Sequence, residues 1–226
     1  GVATNLSVQS SSLQQAMRNS NDGISIIQTA EGAANEVVNI LDRMRELAVQ
    51  SASETLANTE RAYINDEFDQ LNQEIGRISS VTEFNGISLA DNSTTSIAVQ
   101  VGIQNATSSQ INISLGDLRS TTLGVGTLDL TTATGGSAAI TAIDSALDEV
   151  NSQRSALGAS QNRLDSALAN TTTYLESITA AAGNIMDADF AHETSEMTKH
   201  QIMQQAGVAA LSQAKNMSQS VVSLLT

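Results

Sequence analysis

Between residues 140 and 185 the chain carries a seam that never slips. Positions 140, 143, 147, 150, 154, 157, 161, 164, 168, 171, 175, 178, 182 and 185 alternate steps of three and four, and only Arg154, Gln161 and Thr171 interrupt the apolar run. A repeat of this kind keeps one face in line along a helix and commits it to pairing with another helix. No proline occurs in 226 residues, so nothing in the chain itself halts a helix of this length. The spacing predicts a helix over 138–182, ~65 Å long.

A second stripe predicts its partner. Leu13, Met17, Ile24, Ile27, Ala34, Val38 and Leu41 step by multiples of three and four, which predicts a helix over about 3–52. The "NDG" at 21–23 resembles a break, yet the stripe holds phase across it, so the helix is expected to continue. A shorter amphipathic helix follows over about 57–80, with Ala62, Ile64, Phe68, Leu71, Ile75 and Ile78 inward. "EFNGISL" contains an Asn-Gly turn. Beyond it Ile97, Val99, Val101 and Ile103, then Ile111, Ile113 and Leu115, alternate with period two around "QNATSS", a β-hairpin over about 96–115. Residues 116–139, rich in Gly, Thr and Ser, read as a loop or reduced linker. The expected fold is mostly α: an antiparallel, coiled-coil-like three-helix rod with a small hairpin, filling a domain over 1–182. "GNIMDAD" then interrupts the pattern. A last helix runs from about 190 to the end, N-capped by Asp189.

That last helix narrows the possible functions. Ala206, Ala209, Ala210, Leu211, Ala214, Met217, Val221, Leu224 and Leu225 recur at helical spacing, opposite Ser and Gln. It is too polar to span a bilayer, and no run of about 18 apolar residues exists elsewhere. Aromatic residues make up 2% of the chain, so packing falls to Ala, Ile, Leu, Val and Met, which suits close helix contact. With a formal net charge of −14 and no basic patch, nucleic acid is not the expected partner. Without cysteine there is no thiolate chemistry and no disulfide. No signal peptide opens the chain; it begins in what reads as mid-helix, as a trimmed or processed protein would.

Few side chains suggest chemistry. His192, Glu196 and His200 share one helical face and could chelate a metal, but Glu196 stands where the H-E-x-x-H pattern needs its second His. An exposed polar stripe with an i, i+4 charge pair is the plainer reading. Arg43 and Arg45 in "LDRMREL" could grip an anion, or could pair with Asp42 and Glu46 on a solvated face. Several N-x-S/T triplets, such as that at Asn92, are what chance produces in a Ser/Thr/Asn-rich chain. No G-x-S-x-G, phosphate loop or Cys–His pair exists, so no cofactor and no catalytic residue is assigned.

"RNSNDGISIIQTAEGAANEV", "RMRELAVQSA", "EFNGISL", "VQVG", "QNRL" and "DADFAHETSEMTKHQIMQQAGVAALSQA" together resemble the bacterial flagellins, in the same order. The resemblance implies a secreted structural subunit of the flagellar filament, self-assembling for motility, with a rod domain and, over 183–226, a spoke and inner-tube helix. The alternative is a hook–filament junction protein or another secreted binding protein built on the same helices. Relative to the family, the N-terminal inner-tube stretch is absent and the variable outer domains have shrunk to 116–139. The resemblance also implies partners. Other flagellin copies, or an export chaperone or assembly factor before assembly, would cover Ala206, Ala210, Met217, Val221 and Leu224. Vertebrate flagellin-sensing Toll-like receptor would read Arg43, Leu47 and Glu67.

Overall fold

The computed structural model describes the backbone of residues 1–186 and 190–223, and side chains over 1–185 and 192–215. The helices are α1 (Val2–Ala52), α2 (Asn58–Val81), α3 (Ala133–Met186) and α4 (Phe190–Ser223). Two antiparallel strand pairs lie between α2 and α3: β1 (Glu83–Phe84) with β2 (Ile87–Ser88), and β3 (Ser96–Gln100) with β4 (Gln110–Ser114). The chain divides into two compact units, Val8–Ile178 and Gly1–Ser7 with Thr179–Thr226.

In the larger unit α1 and α3 run antiparallel. Arg45 pairs with Asp144 and Glu31 with Arg154, so numbers rise on one helix as they fall on the other. The same logic sets α2 antiparallel to α1, through Arg43 with Glu67 and Arg61 with the Ser51 carbonyl. The three helices share one core, with Val37, Leu41 and Met44 from α1, Phe68 and Ile75 from α2, and Ile143 and Val150 from α3. Every seam position from 140 to 182 is buried or half-buried, while Ile185 is exposed. Ala139, Ala146 and Ser160 are buried beside the seam, so α3 faces more than one neighbour.

A second core lies under the hairpin. Ile97 pairs with Ile113 and Val99 with Ile111, and this face meets Ile26 and Ile27 of α1 and Leu157 and Leu164 of α3. That contact explains why "NDG" does not break α1. A Cβ on Gly23 would lie 3.0 Å from Val99 Cγ2 and 3.2 Å from Leu164 Cδ1, so the glycine serves close approach, not a turn. The Asn21 side chain is held within the helix, donating to the Met17 carbonyl. The Asn-Gly turn is real one step later: Asn85 and Gly86, at φ 52° and 77°, join β1 to β2.

Two expectations for this unit need correction. On α2 it is Arg61, not Ala62, that turns inward, and Ala62 is exposed. The segment expected as a linker is a core element: Leu118, Leu123, Val125 and Leu130 are buried, and α3 begins at Ala133 rather than 138. Its apolar residues have no regular period, so pattern reading misses them. Asn65 and Asn72 of α2 fasten its backbone, at Leu130 N–H and the Gly126 carbonyl. In the smaller unit α3 extends through Gly183 and Asn184 to Met186, past the expected end at 182. The proposed cap Asp189 lies outside the described residues.

Candidate interaction surfaces

On the larger unit, the ridge between α1 and α2 carries a three-member ion network. Arg43 donates to Glu67 through Nε at 2.9 Å and Nη2 at 2.7 Å, and to Glu46 through Nη1 at 2.7 Å. The two acids, hydrogen bonding from Glu46 first and Glu67 second, raise the guanidinium above its ordinary value. Arg43 and Glu67 are about half exposed and Glu46 is 68% exposed, so the network is screened and contributes little stability. Two of the three residues assigned to receptor recognition are thus already partnered to each other.

The third does not join them. Leu47 is 2% exposed and belongs to the three-helix core. Four residues advance a helix by more than one full turn, which carries position 47 from the ridge into the row of Met44 and Ala48. Leu47 therefore offers no side chain to a docking partner in this fold. Arg45 turns the other way round α1 and pairs with Asp144 of α3 at 2.6 Å.

Arg61 is the group that sequence reasoning missed. Its Nε donates to the Ser51 carbonyl at 2.9 Å, Nη2 to the Ser53 carbonyl at 2.7 Å and Nη1 to Asn58 Oδ1 at 3.1 Å. A buried cation thus closes the C-terminus of α1. Glu60 completes the corner, accepting from the Ala57 backbone N–H at 2.9 Å. The only legible signal was a lone Arg at a position where the apolar stripe wanted Ala62.

Beside the β3–β4 hairpin an open groove of about 370 Å³ is lined by Gln15, Asn19, Gln100 and Gln104 among others. These amides offer hydrogen bonds, and the Ser12 hydroxyl that also lines the groove donates to the Val8 carbonyl at 2.9 Å. On α4, Glu196 accepts from Lys199 at 3.1 Å and lies 3.5 Å from His200 Nε2. Among the described residues no group of three His, Cys, Asp or Glu gathers as a metal site would, and no helix is long and apolar enough to cross a membrane.

Among the described residues of α4 the larger apolar side chains lie open, from 56% exposed at Met197 to 74% at Leu211. Ala206 and Ala210 are exposed as well; the side chains of Met217, Val221 and Leu224 lie outside the described residues. Nor do these positions form one stripe. Val208 follows Met197 by about three turns and shares its side, whereas Met203 and Ala210 fall roughly 220–240° round the helix. A helix apolar on several sides needs more than one neighbour.

Known proteins decide what this arrangement belongs to. The bacterial flagellin N-terminal helical region matches residues 1–95, and the bacterial flagellin C-terminal helical region matches residues 140–225. The chain belongs to the bacterial flagellin family. A flagellin of Halalkalibacterium halodurans is 42% identical over 99% of this chain and 82% of that protein. A Bacillus subtilis flagellin is 39% identical over 94% and 81%. The crystal structure of Bacillus cereus flagellin superposes with a TM-score of 0.61 at 33% identity, covering 68% of this chain and 88% of that one. A putative flagellar hook-associated protein from Vibrio parahaemolyticus gives a TM-score of 0.67 over 80% and 95%, but at 15% identity it shares the fold alone. The junction-protein alternative therefore has less support than flagellin. As a flagellin the chain is a structural subunit of the extracellular filament of the bacterial flagellum, secreted and self-assembling.

Proposed function

We propose that α4 is the assembly element of this flagellin and that copies of the same chain cover it on more than one side in the filament. The observation that carries this is the open apolar surface distributed around α4. Ala206 and Ala210 are small enough to let neighbouring helix backbones approach, and Met217, Val221 and Leu224 continue the pattern in the sequence. Before assembly the same surface needs a temporary cover, which an export chaperone or assembly factor supplies. The test removes residues 190–226 and adds the shortened chain to sheared filament fragments. It should fail to elongate them while the helical signal of the larger unit persists. Elongation at the parent rate would refute the proposal.

A second reading concerns the ridge. The Arg43–Glu67 pair is the surface that the flagellin-sensing Toll-like receptor engages, supported by its exposure and by the receptor-reading motif of the family. A receptor contact would have to exchange or extend this ion pair, so its partner groups are charged. The reading is a structural one, as the role of the family is.

A further inference from the structure

We infer that Met197 and Met203 are oxidation sites through which peroxide controls whether a subunit can join the filament. The inference rests on the reading of α4 as the assembly element.

The methionines fall into distinct environments. Met44 is fully buried in the three-helix core and Met17 is half-buried on α1. Met197 and Met203, on α4, are 56% and 57% exposed. Thioether oxidation follows access. In the reaction a sulfur lone pair attacks one oxygen of hydrogen peroxide, and the O–O bond breaks. The sulfur becomes a sulfoxide, oxidised by two electrons; the other oxygen leaves as hydroxide and takes a proton to become water. A flexible apolar side chain is thereby replaced by one with a strong acceptor oxygen. Met203 lies six positions after Met197, about 240° round the helix, so the pair marks two different sides of α4. A sulfoxide at either places an unpaired polar oxygen against a neighbour that offers apolar surface. Once copies pack on both sides, the sulfurs are shielded. The chemistry thus acts on the free subunit and spares the assembled one.

The test exposes the full chain to hydrogen peroxide, as dilute subunits and as filaments, and follows each methionine by peptide mass spectrometry. In subunits, Met197 and Met203 should oxidise at least tenfold faster than Met44. In filaments they should slow by at least tenfold. Peroxide-treated subunits should elongate filament fragments at less than a tenth of the untreated rate. The double variant Met197→Leu/Met203→Leu, which keeps volume and helix propensity, should keep at least half of its untreated elongation rate after treatment. Equal oxidation of the two methionines in subunits and filaments would overturn the inference together with the reading of α4. Protection in filaments, but undiminished elongation after oxidation, would overturn the inference alone. So would a double variant that loses as much elongation to peroxide as the parent.

Discussion

Replacing Arg61 by Ala should cost this fold more than any surface ion pair it contains. The Ser51 residue is fully buried, so its carbonyl has no water to turn to when the guanidinium is removed. An orphaned buried acceptor costs about 1–3 kcal/mol. The Ser53 residue is exposed and its carbonyl recovers a water, so its loss adds little. Loss of the positive charge at the C-terminus of α1, and of the buried stem, adds about 1 kcal/mol. The sum is about 2–4 kcal/mol, or roughly 4–16 °C in Tm for a unit of this size. Urea unfolding followed by circular dichroism measures it, since the chain has no tryptophan but is mostly helix. Arg61→Met separates the contributions: it keeps an apolar stem and should recover less than half of the loss. Destabilisation below about 1 kcal/mol by Arg61→Ala would show that the α1–α2 corner holds without its cation.

Further substitutions probe other parts of the account. Gly32→Ala, in open space, should stabilise α1 by about 1 kcal/mol, whereas Gly23→Ala should lose that gain to the contacts with Val99 and Leu164; equal effects on Tm would remove the close-approach argument. Leu47→Ala should destabilise by about 2–5 kcal/mol, while Arg43→Ala should leave Tm nearly unchanged. On receptor reporter cells, Arg43→Ala and Glu67→Ala should each weaken the response, and unchanged dose curves would sink the ridge as a receptor surface. The Asp117 carboxyl, held by Arg119 foremost, is lowered to about 2. Its contribution is present above the unfolded value near 4 and is lost as pH falls from about 4 to 2. Asp117→Asn should therefore flatten that part of the acid titration of stability. Towards alkaline pH the cross-helix pairs of the larger unit described above, Arg43–Glu67, Arg45–Asp144 and Arg154–Glu31, use Arg, which stays charged, so Tm of that unit should hold between pH 7 and about 11.

What could be read in the sequence was what repeats. The α3 seam, the stripe of α1 and the period-two hairpin all rest on many residues and are present, although α3 starts at Ala133 and β3 ends at Gln100, before Val101 and Ile103. Single-residue roles were less legible. Gly23 looked like a break because a glycine that clears space for Val99 is written with the same letter as one that makes a turn. The role of Arg61 is illegible in the sequence because its value lies in two carbonyls across a corner, a contact with no period. Residues 116–132 looked like a linker because their composition is that of a loop, and only packing shows that Leu118, Val125 and Leu130 are anchors. On the ridge, the resemblance names Arg43, Leu47 and Glu67 only as receptor contacts; the 2.7 Å contact between Arg43 and Glu67 is a fact of tertiary structure.

The dependence of α4 on its neighbours is best measured by amide hydrogen exchange of the full chain, dilute and as filaments. Ala-rich helix surface gives little burial per residue, and an uncovered helix must bear its own ordering entropy. In the dilute subunit the amides of 192–215 should exchange within seconds while those of 140–178 remain protected, and in filaments the two segments should become comparably slow. Equal protection of the two segments in a dilute monomer would contradict the account, because α4 would then need no other copy to hold its shape.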